Sequence, residues 1–94
     1  MKVGSLLVRL RLRESRSLKD KRQVVQSIKE RLRQRFNVAV AEVDSQDKLQ
    51  IAVLDFATVA NDASQVHSLL EEIVNVLRRH PVAEFIDFEF DPDQ

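Results

Sequence analysis

Four cations recur between positions 19 and 33 at the spacing of one helix face: Lys19, Arg22, Lys29 and Arg33, with Gln26 filling the gap. Steps of three and four residues stack side chains in a single row on a helix. A row of cations with no acid in it attracts a phosphate backbone and holds it without reading bases. Asp20 and Glu30 lie beside this row, not within it. The plainer reading of the same residues is a solvated helix surface. A second basic set, Arg9, Arg11 and Arg13, alternates with Leu10 and Leu12, which is the period of a strand.

Other reactive groupings are scarce. There is no cysteine, which removes disulfides, thiolate metal sites and thiol nucleophiles. Gly4 is the single glycine, so no glycine-rich loop can cradle a phosphate. His67 and His80 stand far apart in sequence, one on the surface of a helix and one at its end, and neither has a neighbour that suggests a metal or a triad. Asp44, Gln46 and Asp47 have the composition of a cation loop, but an ordinary turn accounts for them. Glu71 and Glu72 are adjacent on a helix and therefore diverge. These absences predict a chain with no catalytic residues, no cofactor and no metal.

The elements that position these residues follow from periodicity. Residues 3–13 alternate, with Leu6, Val8, Leu10 and Leu12 on a buried face and Ser5, Leu7, Arg9, Arg11 and Arg13 opposite. Ser17 suits a helix N-cap, with Asp20 in the first turn. Leu18, Val25, Ile28, Leu32 and Phe36 then form the apolar stripe of helix one, and Asn37 is expected to close it in the left-handed conformation. Residues 38–44 read as strand two, with ambiguous facing and a bulge expected near Ala41. Residues 45–48 make a turn into strand three, about 49–59, where Ala52, Leu54 and Phe56 oppose Ile51, Val53, Asp55, Ala57 and Val59. Asn61 or Asp62 caps helix two, whose stripe is Val66, Leu70, Ile73 and Leu77, widened by Leu69 and Val74. Arg78, Arg79 and His80 suit its C-terminal end, and Pro81 stops it. Strand four, about 82–90, sets Ile86, Phe88 and Phe90 against Phe85, Asp87 and Glu89, and a short acidic tail, 91–94, follows.

The order βαββαβ in 94 residues, with 44% apolar side chains, predicts one domain spanning 1–94. Its fold class is α+β: a ferredoxin-like sandwich with an antiparallel sheet in order 4-1-3-2, both helices on one face and the other face open. Strand one is central in this reading, with strand four antiparallel to it and strand three taken as parallel. No signal peptide or membrane span is visible, so the chain reads as cytoplasmic, with no membrane partner.

Net charge is zero but unevenly divided. Residues 1–36 carry twelve Lys or Arg against three Asp or Glu, and residues 37–94 carry three against twelve. Folding can bring the two halves together. Arg9, Arg11 and Arg13 then face Asp87, Glu89 and Asp55 as a cross-strand ladder, which explains the arginine stripe better than a nucleic-acid contact does. The open face also holds Leu7, Ile51, Val53 and Val59, with Phe85 as a further candidate. An apolar patch of this kind points to a homodimer or higher symmetric oligomer that covers it. Base stacking of the RRM type is not expected, because strand one has no aromatic residue and Phe56 points inward. Recognition of DNA sequence is not expected either. Lys21 falls within the apolar stripe, so its stem is expected to be buried and its amine to reach a carboxylate or solvent.

Three segments resemble the YlxP-like family of small bacterial proteins: residues 15–22 (Ser-Arg-Ser-Leu-Lys-Asp-Lys-Arg), residues 36–44 (Phe-Asn-Val-Ala-Val-Ala-Glu-Val-Asp) and Ala60-Asn61-Asp62, together with Gln46-Asp47. The resemblance implies a ferredoxin-like fold, the bacterial cytosol, and genes often placed among those for translation and ribosome maturation. It makes Ser17, Lys21, Glu42, Asp44 and Asp47 candidate functional positions. The chain departs from that pattern at Ile51 and Val53, where polar residues are usual. The leading expectation is a non-enzymatic accessory domain that contacts RNA or ribosomes through helix one. Two alternatives stand beside it. One is a dimeric ACT-like ligand-sensing domain using an edge near Ser17 and Asn61. The other is an acylphosphatase-like phosphohydrolase using Arg16, whose loop here lacks the glycines that such chemistry needs.

Overall fold

The computed structural model describes residues 1–91. The elements are β1 (Lys2–Arg11), α1 (Leu18–Arg35), β2 (Ala39–Asp44), β3 (Ile51–Ala60), α2 (Ala63–Arg78) and β4 (Glu84–Phe90). The sheet order is β2-β3-β1-β4, the ferredoxin-like order read from the other edge, and every pairing is antiparallel. Strand three therefore runs against strand one, not parallel to it as expected. The hairpin between β2 and β3 reverses the chain, and crossing over α1 has already made β2 parallel to β1, so β3 must oppose both. The register Lys2 to Ala60 and Arg11 to Ile51 fixes this.

One core lies between the sheet and the helices. Leu6, Val8 and Leu10 of β1, Ala52, Leu54 and Phe56 of β3, and Leu70 and Ile73 of α2 are wholly buried. Alternation on the strands and the three-to-four step on the helices put these side chains on facing surfaces. Val25, Ile28 and Leu32 of α1 join the core, whereas Leu18 stays largely exposed at the helix start. The expectation for Asn37 fails. The helix ends at Phe36 in extended conformation, and Ser45 is the only described non-glycine residue at positive φ. A helix need not end in a left-handed residue when the chain leads straight into a strand. The Asn37 carbonyl instead accepts a hydrogen bond from Thr58 Oγ1 at 2.8 Å.

Two bulges decide facings that alternation alone misreads. In β2 the register shifts between Glu42 and Asp44, which moves the bulge from Ala41 to Val43. Glu42 pairs with Leu54 and faces the helices, whereas Asp44 pairs with Val53 and faces the open side. In β4 the shift lies opposite Arg9 and Leu10, so Phe85 pairs with Leu10 and Asp87 with Arg9. The extra residue, Ile86, is left exposed. Phe85 accordingly joins Phe88 and Phe90 against the core instead of lying on the open face. An extra residue inverts the side-chain phase beyond it. The acidic tail that sequence places after β4 lies outside the described residues from position 92 onward.

Candidate functional site

Helix α1 starts on a reciprocal cap. Ser17 Oγ accepts from the Asp20 amide at 3.1 Å, and Asp20 Oδ2 accepts from the Arg16 amide at 3.1 Å. Two otherwise unpaired donors at the helix entry are thereby satisfied. One turn on, Lys21 is buried, with 2% of its surface exposed. Its Nζ donates to the carbonyls of Ser45 and Lys48, both at 2.7 Å, and lies 2.8 Å from Glu42 Oε2. This Glu42 oxygen accepts no hydrogen bond among the described residues, so the link is an ion pair. The amine is thus enclosed, and it ties the start of α1 to the hairpin between β2 and β3. Lys21 and Glu42 meet, as do Ser17 and Asp20. Asp44 is on the opposite sheet face and uses its carboxylate on the Ser45 amide at 2.7 Å. Asp47 is exposed in the turn.

The outer surface of α1 carries the basic row. Lys19, Arg22 and Arg33 are exposed and Lys29 is half-buried. Among the described residues none of these four has a carboxylate within ion-pair distance. Gln26, in the same row, donates to Glu30 Oε1 at 3.1 Å. Two arginines of the other basic set, Arg9 in β1 and Arg13 just beyond its end, are different. Arg9 Nη1 pairs with Asp87 at 2.9 Å, and Arg13 holds Glu84 through Nε at 2.7 Å and Nη2 at 3.3 Å. The hydrogen bond and charge of Asp87 raise the Arg9 pKa, and Arg13 lowers that of Glu84. The ladder therefore has rungs at Asp87 and Glu84. Asp55 does not join it. Burial, followed by the charge of Asp91, raises its pKa at the acidic end of the open face, beside Leu7 and Glu89.

The open face is less apolar than its sequence suggests. Val53 is only 4% exposed within the single chain, so it offers no surface to a partner. It sits in register between Arg9 on β1 and Asp44 on β2. Leu7 and Ile51 are half-buried, and the exposed pair is Val59 with its cross-strand neighbour Val3. Sequence reading missed Val3, although the alternation that exposes Ser5 and Leu7 places it on the same face.

A family model described as "Protein of unknown function (DUF503)" matches residues 3–90. The chain belongs to the DUF503 family. A comparison with curated proteins gave no match. Two alternative locations in this DUF503 chain do not hold together geometrically. Ser17 follows the Arg11 end of β1 and Asn61 follows the Ala60 end of β3, and the antiparallel register puts these at opposite ends of the sheet. Ser17 and Asn61 therefore do not share one edge within a single chain. In the loop after β1, the Ser15 amide donates to Leu12 O at 3.1 Å and the Arg16 amide to Asp20. Gln50 Nε2 caps the Arg13 and Ser15 carbonyls at 3.1 and 3.4 Å. Those two amides are committed inside the loop and do not converge on an anion beside Arg16. Among the described residues of this DUF503 chain, no helix is long and apolar enough to cross a membrane.

Both histidines have partners that sequence reading did not find. His67 Nε2 lies 2.7 Å from Glu71 Oε1, one helical turn on, and its ring packs on Phe90 at 5.0 Å. The four-residue step from His67 to Glu71 was a visible signal. His80 Nδ1 accepts from the amides of Val82 and Ala83 at 3.2 and 3.0 Å and so closes the turn into β4. Burial, followed by the charge of Arg31, lowers its pKa.

Proposed function

We propose that this chain is a non-enzymatic accessory domain of the bacterial cytosol that contacts RNA, including ribosomal RNA, through the outer face of α1. One observation carries the reading. Lys19, Arg22, Lys29 and Arg33 stay without an ion pair among the described residues, while two arginines of the other basic set, Arg9 in β1 and Arg13 just beyond it, are held in ion pairs. An unneutralised cationic row gains free energy by releasing counterions from a phosphate backbone, whereas a paired arginine must first surrender its carboxylate. The resemblance to the YlxP-like family, with its translation-linked gene setting, points the same way. The reading includes self-association into a homodimer or higher symmetric oligomer, supported by the exposed Val3–Val59 pair on the open face.

The test is a salt-titrated pull-down with ribosomes, alongside fluorescence anisotropy on single-stranded RNA. Log affinity should fall linearly with log salt, by roughly 0.7 for each phosphate contacted. The combined change Arg22→Glu, Lys29→Glu and Arg33→Glu should abolish binding with the fold intact. Binding indifferent to salt, or retained after charge reversal, would remove α1 as the interface.

A further inference from the structure

A second cationic feature lies on the other flank of α1, where its last two turns face the end of α2. Arg31, Arg35, Val76, Arg79, His80 and Pro81 line a cavity of about 160 Å³ there. No carboxylate lines it, and among the described residues none of the three arginines has an ion-pair partner. We propose that this notch is a receptor for one phosphate group, held by the guanidinium groups of Arg31, Arg35 and Arg79.

Chemistry and shape both favour this. Guanidinium groups match a tetrahedral oxyanion through paired N–H donors, and three positive charges around one small space repel until an anion enters. Arg35 is steadied by the Phe36 ring, with 5.4 Å from the guanidinium carbon to the centroid. His80 uses Nδ1 to accept two backbone amides, so its ring hydrogen resides on Nε2, a further donor on the cavity wall. Val76 and Pro81 give the notch apolar walls, which strengthens a charge-assisted bond inside it. The outer row of α1 has cations but lines none of the described cavities, so it can track a backbone without enclosing a single phosphate. The notch stands independently of that row and does not need the reading above to be correct.

The phosphate can be that of a small phosphate monoester or one unit of a nucleic-acid backbone, and one experiment separates these. The amide resonances of the full chain are followed while sodium phosphate replaces sodium chloride at fixed ionic strength. Saturable shifts centred on Arg31, Arg35, Arg79 and His80, in the millimolar range, are expected. Arg79→Gln and, separately, Arg31→Gln should each weaken binding by about tenfold, while Lys2→Gln, at an exposed cation outside the notch, leaves it unchanged and all three spectra remain folded. Adding single-stranded RNA then assigns the source. RNA that displaces the phosphate occupies the notch through its backbone, and RNA that binds alongside it leaves the notch to a small phosphate compound. Absence of saturable shifts at these four residues, or an affinity in both notch variants as high as that of the unaltered chain, overturns the proposal.

Discussion

Lys21 is the side chain on which most local order depends. A buried ammonium is tolerated only when its donors are taken up, and here two carbonyls and a carboxylate surround it. Lys21→Met keeps the volume but leaves the Glu42 charge buried without its counter-charge, so stability should fall by about 3 kcal/mol. Adding Glu42→Gln should recover part of the loss. Urea unfolding of the three variants measures both effects, and a loss below about 1 kcal/mol would mean that the amine is not enclosed in solution. His80 gives a pH-dependent effect. Burial and Arg31 lower its pKa, so the unfolded chain takes up a proton more readily than the folded one. Its contribution is therefore complete above the ordinary imidazole pKa of about 6.5 and is lost as pH falls through the folded value. Protonation also removes the Nδ1 lone pair that the Val82 and Ala83 amides need. The urea midpoint should drop between neutral pH and about pH 5, and His80→Gln should flatten that drop. An identical drop in the variant would locate the effect elsewhere.

At the level of elements, α1 depends on its cap. Ser17→Ala removes the acceptor for the Asp20 amide and should lower stability by about 1 kcal/mol, read from denaturant unfolding, whereas Ser17→Asp should be close to neutral. A cost near zero for the alanine variant would mean that tertiary packing alone fixes the helix start. Ser17, the stripe of α2 and the alternation of β1 were all legible in sequence, because each rests on a local rule of spacing or capping. The facings of Phe85, Ile86 and Asp44 were not. They depend on single extra residues opposite a neighbouring strand, and nothing within β2 or β4 marks where those fall. Val53 was misread for a related reason. Its phase was right, but its burial depends on what stands beside it on two other strands. The basic row of α1 was legible in full, since a helix displays its own periodicity. The notch at Arg31, Arg35 and Arg79 was not, since it needs two helix ends to meet.

For the molecule as a whole, the question is how many copies it works in. Light scattering at micromolar concentration should give a mass of at least two chains, and Val59→Lys should reduce it to one. A monomer at high micromolar concentration would reject the oligomer and leave Val3 and Val59 as scattered surface residues. Charge acts at this scale too. The four cations of the row belong to α1, in the helix layer, whereas Asp55 and Glu89 lie on the far side of the sheet. A body with no net charge feels little pull from a distant polyanion, but a separated pair of poles feels a torque. Such a molecule turns before it is drawn in, and arrives with its helices leading. Since ions at physiological strength damp that torque beyond about 8 Å, the orienting step belongs to the last moments of approach.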